Sequence, residues 1–225
     1  MYVPSHFDES RPEQLHALIA RHPLGVLVTR GASGLDANHL PFEMEPRADS
    51  LGILHTHVAR SNPVWRDIES GDEVLVVFRG PDAYISPNWY PSKPEHHRQV
   101  PTWNYMVAHA HGVVTVHEDE RYIRGVVGRL SKQHEASQTR PWRISDSSQA
   151  FIAEMLTAII GLEITITRLV GKFKLSQNKE MRDALGAAHA LKAQGSDAIA
   201  DAMLERVAKR SDAANSEHAV EQESS

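Results

Sequence analysis

The stretch LEITITRLVGKFKL, residues 162–175, indicates the fold class through its alternating pattern. Leu162, Ile164 and Ile166 are apolar, and the residues between them are Glu or Thr. This period of two, rich in β-branched side chains, is typical of a β-strand with one buried face. This strand follows two predicted helices. We therefore expect the sheet to include a strand from the second half of the chain as well as the earlier strands.

Five strand-length runs precede this stretch, separated by segments that contain turn-forming residues. They are LGVLVTR from Leu24, LDANHLPFEM from Leu35, LGILHTHV from Leu51, EVLVVFRG from Glu73 and YMVAHAHGVVTVHE from Tyr105. Together with residues 162–175 they predict six or seven strands.

Periodic apolar spacing predicts five helices around these strands. They lie between residues 10 and 23, from Tyr122 to Leu130, behind Ser147, and on either side of a break at residues 195–196 in the part that follows Asn178. Strands that come mostly before helices argue for an antiparallel barrel or sandwich with peripheral helices, an α+β chain, rather than a parallel sheet. We expect a barrel domain over residues 1–178, a helical extension over 179–211 packed on the barrel or dimer, and a disordered tail over 212–225.

Composition excludes several classes of protein. The 225 residues are 41% hydrophobic and 24% charged, which is ordinary for a globular domain. The absence of cysteine excludes disulfides, thiolate nucleophiles and Cys-ligated metals. No apolar run approaches a membrane span and the first residues do not resemble a secretory signal, so we expect a cytoplasmic protein with no membrane contact.

The run HTHVARSNPVW, residues 55–65, is a candidate anion site. It ends a predicted strand and enters a short helix, which places Arg60 and Asn62 where a cation and backbone N–H groups can hold a phosphate. Alternatively, Ser61 or Asn62 caps a helix that begins at Pro63. The fragment alone leaves both readings open.

Two further groups of polar residues invite a ligand. The His55–His57 and His109–His111 pairs each share a strand face, but neither has a third ligand of known position, so we predict no metal site. The run GKFKLSQN, residues 171–178, places Lys174, Ser176 and Gln177 at a predicted strand end and helix start. This arrangement suits a capped helix or a phosphorylated ligand.

Six short motifs occur in series along the chain. They are MYVPSHF at the start, NHLPF from Asn38, HVARSNPVW from His57, YISPNWY from Tyr84, VPTWNY from Val100 and IGLEITITRLVGKFKLSQN from Ile160. In order and spacing they resemble the PaiB-like family of FMN-binding transcriptional regulators over nearly the whole chain to residue 178. One departure is Asn38, which stands where the family pattern has a hydroxyl residue.

The resemblance implies an FMN-binding split β-barrel of the pyridoxamine-phosphate-oxidase-like type, in which two subunits of a homodimer build two FMN sites. By similarity, Arg60 would hold the FMN phosphate with His57 and Asn62 nearby. The backbone of His39 and Leu40 would lie at the polar edge of the isoalloxazine ring.

The aromatic segment at residues 84–105 then has a role in binding. Rigid aromatic walls and a few fixed donors suit a flat ring with a polar rim. Trp89, Tyr90 and Trp103 are the candidate walls, whereas plain core packing accounts better for Tyr84 and Tyr105. The candidate donors are Lys93, Thr102 and Asn104.

Two classes of function stay open at this stage, and no catalytic residue can be named. The chain is a non-enzymatic regulator or flavin-linked sensor, or it is a flavin-dependent oxidoreductase acting on a small molecule. A heme-handling role, known elsewhere in the superfamily, is a third option prompted by the histidines. The net charge of −5 makes direct DNA binding doubtful, and from Lys172 onward eight Lys and Arg face nine Asp and Glu.

Overall fold

A computed structural model describes the backbone of residues 1–32 and 34–223, and the side chains of these residues apart from 96 and 213–223. The described chain contains eight β-strands. They are β1 Asp8–Glu9, β2 Leu24–Gly31, β3 Gly34–Pro41, β4 Glu43–Glu45, β5 Ile53–Ala59, β6 Glu73–Ile85, β7 Thr102–His117 and β8 Ile159–Lys174.

Seven α-helices accompany the strands over the same described residues. They are α1 Pro12–Arg21, α2 Val64–Asp67, α3 Lys93–His96, α4 Glu120–Glu135, α5 Gln149–Thr157, α6 Met181–Ala193 and α7 Asp197–Glu223. Single 3₁₀ turns occur at Ser5–Phe7, Pro87–Trp89 and Ile144–Asp146.

The strands form one sheet in the order β3-β2-β6-β7-β8-β5-β4, and β1 pairs with β8. The β2–β3, β2–β6, β4–β5, β5–β8 and β1–β8 pairs are all antiparallel. The antiparallel sheet with peripheral helices predicted from the sequence is therefore confirmed. Strands β6, β7 and β8 are longer than predicted, at 13, 16 and 16 residues.

The chain divides into two compact units. The central unit comprises Ser10–Arg79 and Ala108–Val170, and the terminal unit comprises Met1–Glu9, Gly80–Val107 and Gly171–Ser225. The three long strands β6, β7 and β8 contribute residues to both units.

The core of the central unit follows the strand and helix periods. In β7, Ala108, Ala110 and Val114 are fully buried at even positions, while β8 buries Ile160, Leu162 and Ile164. Gly112 belongs to the same buried row, where an added Cβ would lie 2.5 Å from the carbonyl oxygen of Thr165. Only glycine permits this close approach of two backbones.

The terminal unit has its own core, built largely by α6 and α7. Helix α6 buries small side chains at Ala184, Ala187 and Ala188, which permits close helix packing, and α7 buries Ile199 and Met203. The two helices are joined through Gly195 at φ 76°, a left-handed conformation that glycine adopts without strain.

Helix boundaries differ from the sequence expectation in two places. The cap of α5 is Ser148, one residue beyond the expected position, and its hydroxyl accepts a hydrogen bond from the Phe151 amide at 3.3 Å. Helix α7 extends to Glu223, into the segment from residue 212 for which the sequence predicts disorder. The side chains beyond Asp212 and the whole of residues 224–225 lie outside the described residues.

Candidate functional site

Arg60 follows strand β5 in the central unit, and its side chain is held on two sides. Its Nε donates to the carbonyl oxygen of Thr157 at 2.8 Å, and Nη1 lies 2.7 Å from Oε2 of Glu118. The backbone amide of Arg60 also donates to the carbonyl of Ala158 at 2.7 Å. Arg60 is thus fixed at the junction between α5 and β8, with its guanidinium partly exposed.

Asn62 has a structural role just before α2, whose N-cap residue is Pro63. Its Oδ1 accepts from the Val64 amide at 3.0 Å, and its Nδ2 donates to Oδ1 of Asn38 at 2.8 Å. Helix α2 has only four residues, so its dipole contributes little to binding an anion. Any phosphate contact in this segment therefore depends mainly on the Arg60 guanidinium.

His57 lines a cavity of 270 Å³ in the central unit. Its Nδ1 is buried and has no hydrogen-bond partner among the described residues. Burial lowers the pKa of the imidazole, so the ring is neutral at neutral pH. The other lining residues are Pro41, Leu130, Ser131, His134, Glu135 and Trp142.

A second cavity of 260 Å³ shares two walls, His57 and Trp142, with the first. Its remaining lining is almost wholly apolar and comes from Val127, Ile144, Ile152, Met155, Leu156, Ala158 and Ile159. Pro41 and His57 belong to two of the six sequence motifs, and both line the first cavity. Ile159 of the second cavity directly precedes the motif that begins at Ile160. Arg60 is anchored to Thr157 and Ala158 at the edge of the second cavity.

His39 and Leu40 lie on β3, at one end of the sheet order. They pair with Val26 and Gly25 of β2. His39 is exposed, whereas Leu40 is buried. The next residue, Pro41, accepts a hydrogen bond from the Thr56 hydroxyl at 2.7 Å and also lines the first cavity. The NHLPF segment thus reaches the cavity through Pro41 in this structure.

The remaining predicted residues lie in the terminal unit. Trp89, Tyr90 and Lys93 line an open pocket of 540 Å³ together with Asn88, Pro91, Pro94 and His97. Tyr90 is buried, and this burial raises the pKa of its hydroxyl. The hydroxyl has no hydrogen-bond partner among the described residues. Lys93 donates to the side-chain oxygen of Asn88.

The Lys174 ammonium donates hydrogen bonds to the Thr102 hydroxyl and, at 2.8 Å, to the Trp103 carbonyl oxygen. Burial, followed by the charges of Lys172 and Lys179, lowers the pKa of Lys174. The Trp103 side chain is 53% exposed and meets Tyr84 edge to face. This group is consistent with a polar ligand site, since a cation and an aromatic side chain are both accessible.

Asn104, Ser176 and Gln177 make internal bonds instead. Asn104 is fully buried and donates to the Ser176 hydroxyl at 2.9 Å. Gln177 bonds the backbone of Leu175 and Phe173, where Ser176 takes a left-handed conformation at φ 64°. These three side chains hold the end of β8 in place.

The sequence did not single out the residues that anchor the aromatic segment. Asp183 of α6 is 1% exposed, and its two oxygens accept from the Ser92 amide at 3.0 Å and the Ser92 hydroxyl at 2.6 Å. Gln99 adds a longer bond to the same carboxylate. A side chain at Gly186 would overlap the Trp89 carbonyl, so α6 lies directly against this segment.

Trp142 and Glu118 also contact the candidate site, and the sequence does not indicate either of them. Trp142 lies in an irregular segment without apolar periodicity, and Glu118 lies between a strand and a helix, where a surface carboxylate is ordinary. No local pattern could have revealed that one lines the cavities and the other holds Arg60. The site residues predicted from the sequence lie in two groups. His39, Leu40, His57, Arg60 and Asn62 belong to the central unit, and the others belong to the terminal unit.

The family that the motifs indicate is confirmed by comparison with known proteins. Residues 1–168 match the family described as "Putative FMN-binding domain". The chain belongs to this FMN-binding family. FMN is accordingly its cofactor.

Relatives of this FMN-binding chain occur in fungi and bacteria. It is 33% identical to the uncharacterized protein AN0679 of Emericella nidulans, covering 92% of this chain and 97% of the relative. It is 31% identical to protease synthase and sporulation protein PAI 2 of Bacillus subtilis, covering 81% and 85%. The PaiB-like resemblance is thereby confirmed.

A solved structure supports the fold. The FAD and heme binding protein from Mycobacterium smegmatis matches with a TM-score of 0.54 at 18% identity, covering 74% of this chain and 73% of the other. The split-barrel fold expected for the FMN-binding family is confirmed. None of the helices described here is both long and apolar enough to span a membrane.

Proposed function

We infer that the chain binds FMN in the central unit, with the phosphate at Arg60 and the ring in the cavities around His57 and Trp142. The observation that carries this proposal is the convergence of two sequence motifs on the first cavity, beside a fixed guanidinium. Planar Arg donors match phosphate oxygens, and the anchored side chain loses little freedom on binding.

The cavity chemistry fits the flavin ring. An apolar lining suits the dimethylbenzene part, while the unpartnered Nδ1 of His57 offers one polar contact for the heteroatom rim. Each cavity alone is smaller than the roughly 300–1,000 Å³ typical of ligand pockets, but the two share His57 and Trp142. When bound, the flavin supplies redox chemistry; His57, Arg60 and Trp142 bind and orient it.

The biological role that we propose is that of a flavin-linked sensor or transcriptional regulator acting as a homodimer in the cytoplasm. Its support is the PaiB-like family membership and the similarity to PAI 2, a sporulation protein by name. The acidic balance of the chain argues that such regulation works through a partner or a weak DNA contact. Light scattering tests the dimer, and a gel-shift assay on genomic fragments should detect at most weak, salt-sensitive binding.

Flavin-dependent reduction of a small molecule is the second candidate function. Its support is the polar part of the lining of the first cavity, Ser131, His134 and Glu135, which offers groups that orient a polar substrate. A heme-binding role is a weaker third candidate, supported by the unpartnered His57 nitrogen and by the name of the M. smegmatis neighbour.

One set of measurements tests the proposal and separates these functions. The absorption spectrum of freshly purified protein is recorded before and after FMN addition and desalting. Retained flavin bands support the site, and heme bands favour the third candidate. A separate assay follows the absorbance of added NADH or NADPH, and its oxidation with turnover favours the second candidate.

The variant Arg60→Ala then locates the phosphate. We expect weaker FMN binding by about 1.5–3 kcal/mol, the scale of a charge-assisted hydrogen bond. Riboflavin, which lacks the phosphate, serves as the control ligand. Equal losses for both ligands would show that Arg60 does not bind the phosphate.

A further inference from the structure

We propose that Glu118 is an internal competitor for the Arg60 guanidinium, and that FMN phosphate binds by displacing it. This inference rests on the proposed FMN site and concerns its regulation. A carboxylate and a phosphate offer the same oxygen acceptors to a guanidinium, so the ion pair occupies donors that a ligand phosphate needs.

The geometry separates a fixed part of Arg60 from an exchangeable part. Nε is committed to the Thr157 carbonyl at 2.8 Å, which holds the planar group in place. Nη1 points to Glu118 at 2.7 Å. Among the described residues the guanidinium also faces the Trp65 ring, whose centroid lies 5.8 Å from the guanidinium carbon, so this contact does not occupy the N–H donors at the edge of the group.

Exposure makes this pair easy to exchange. The side chain of Glu118 is 59% exposed, and that of Arg60 is 37% exposed. Ion pairs that are open to solvent contribute little, because water competes for both charges. Glu118 follows β7 directly and precedes the helix cap Asp119, so its side chain can turn toward solvent while the backbone stays in place.

The expected consequence is a site with moderated affinity for the phosphorylated ligand. A phosphate carrying nearly two negative charges at neutral pH must break the pair and then tolerate a nearby carboxylate. A flavin without phosphate leaves the pair intact. Glu118 therefore lowers the preference for FMN over riboflavin, and added salt should reduce this effect by screening.

The test uses the full-length protein, the variant Glu118→Gln, and FMN and riboflavin as probes. Gln keeps the size and one acceptor but removes the charge. We expect FMN to bind about twofold to fivefold more tightly, the scale of one exposed ion pair, with riboflavin unchanged. Flavin fluorescence titration at two salt concentrations measures both constants.

Two controls make the result specific. Glu120→Gln removes an equal charge two residues away, where Glu120 pairs with Arg124 at 2.8 Å, and should leave both affinities unchanged. In an Arg60→Ala background, Glu118→Gln should no longer tighten FMN binding, because its partner is gone. Unfolding curves of each variant verify that the exposed substitutions leave the fold intact.

The outcomes distinguish this inference from the proposed site. If Arg60→Ala weakens FMN selectively but Glu118→Gln does not tighten it, the competitor role is overturned and the site stands. If Arg60→Ala has no selective effect, the phosphate position itself is wrong. If Glu118→Gln and Glu120→Gln tighten FMN binding equally, the effect comes from the net charge of the protein, and the inference is overturned.

Discussion

The hydroxyl oxygen of Tyr122 lies 2.9 Å from Nδ1 of His55, whose Nε2 in turn lies 2.8 Å from Oε2 of Glu45. His55 is 4% exposed. Since an ionised Glu45 can only accept, Nε2 of His55 donates to it, and in the neutral tautomer with the proton on Nε2 the other nitrogen, Nδ1, accepts from the phenol. The Tyr122 ring also stacks on His117 at 3.7 Å. These contacts fix the start of α4, the helix whose later residues Val127 and Leu130 line the proposed flavin cavities.

Tyr122→Phe should destabilise the protein and weaken flavin binding indirectly. The substitution leaves Nδ1 of buried His55 without its hydrogen-bond partner, at a cost of about 1–3 kcal/mol. Urea unfolding of the flavin-free protein measures this loss. The matched control is Tyr2→Phe, at a tyrosine that is 82% exposed. Identical unfolding curves for Tyr122→Phe and the parent would contradict a structural role for the contact.

The Glu45–His55 bond predicts a pH dependence of stability. The hydrogen bond from His55, aided by Arg47 and Arg129, lowers the pKa of Glu45 below 4.5 despite an opposing effect of burial. A carboxyl group with a depressed folded-state pKa stabilises the protein above its unfolded-state pKa, and this contribution disappears as the pH falls through the folded-state pKa.

Glu45→Gln should therefore reduce stability at pH 7 and flatten the loss of stability below about pH 4.5. The Glu45 side chain is 39% exposed, so we expect an effect below about 1 kcal/mol. Unfolding free energies between pH 7 and pH 3 measure it. A variant with the same pH profile as the parent would show that another carboxylate dominates acid unfolding.

The strands and the family could be predicted from the sequence because their signals are local. Along much of β7 and β8 buried residues alternate with less buried ones, and this period of two is visible in short stretches of sequence. The motif series likewise makes Arg60 and His57 candidate site residues through their neighbours in sequence. The extra length of β6 was not predictable, since Pro81 interrupts its pattern after Gly80.

The anchors of the site could not be predicted, because they join residues far apart in the chain. Ser92 and Asp183 are 91 residues apart, and an aspartate near a helix start is ordinarily a surface residue. Arg60 and Glu118 are 58 residues apart, and neither shows in sequence that the other is its partner. Such pairings depend on which helices, strands and loops pack together in the folded chain. A periodic sequence pattern does not contain this information.

Asp183→Ala should destabilise the terminal unit by about 1.5–3 kcal/mol, because the Ser92 amide and hydroxyl lose a buried charged acceptor. We also expect faster proteolysis of residues 86–101, which this carboxylate ties to α6. Asp201→Asn is the control, since Asp201 makes an exposed ion pair with Lys192. If the two variants unfold alike, the Asp183 network contributes no net stability.

The last prediction compares two tryptophans, one found through the structure and one through the sequence. Trp142 lines both central cavities and is 40% exposed, whereas Trp103 is 53% exposed. Trp142→Ala should weaken FMN and riboflavin alike, by about tenfold, because an aromatic wall contacts the ring that both ligands share. Half-exposed side chains fill little core, so both variants should keep unfolding midpoints close to the parent, unlike a buried Trp whose loss costs about 3–5 kcal/mol.

Trp103→Ala tests the sequence-based wall in the terminal unit by the same titrations. A loss of affinity for both flavins, with unchanged stability, would support Trp103 as a second contact of the ring. The control for both variants is Phe151→Ala, at a side chain that is 50% exposed on α5. If Trp142→Ala binds both flavins as the parent does while Trp103→Ala binds neither, the ring does not occupy the His57 cavities, and the binding site belongs to the aromatic segment at residues 84–105.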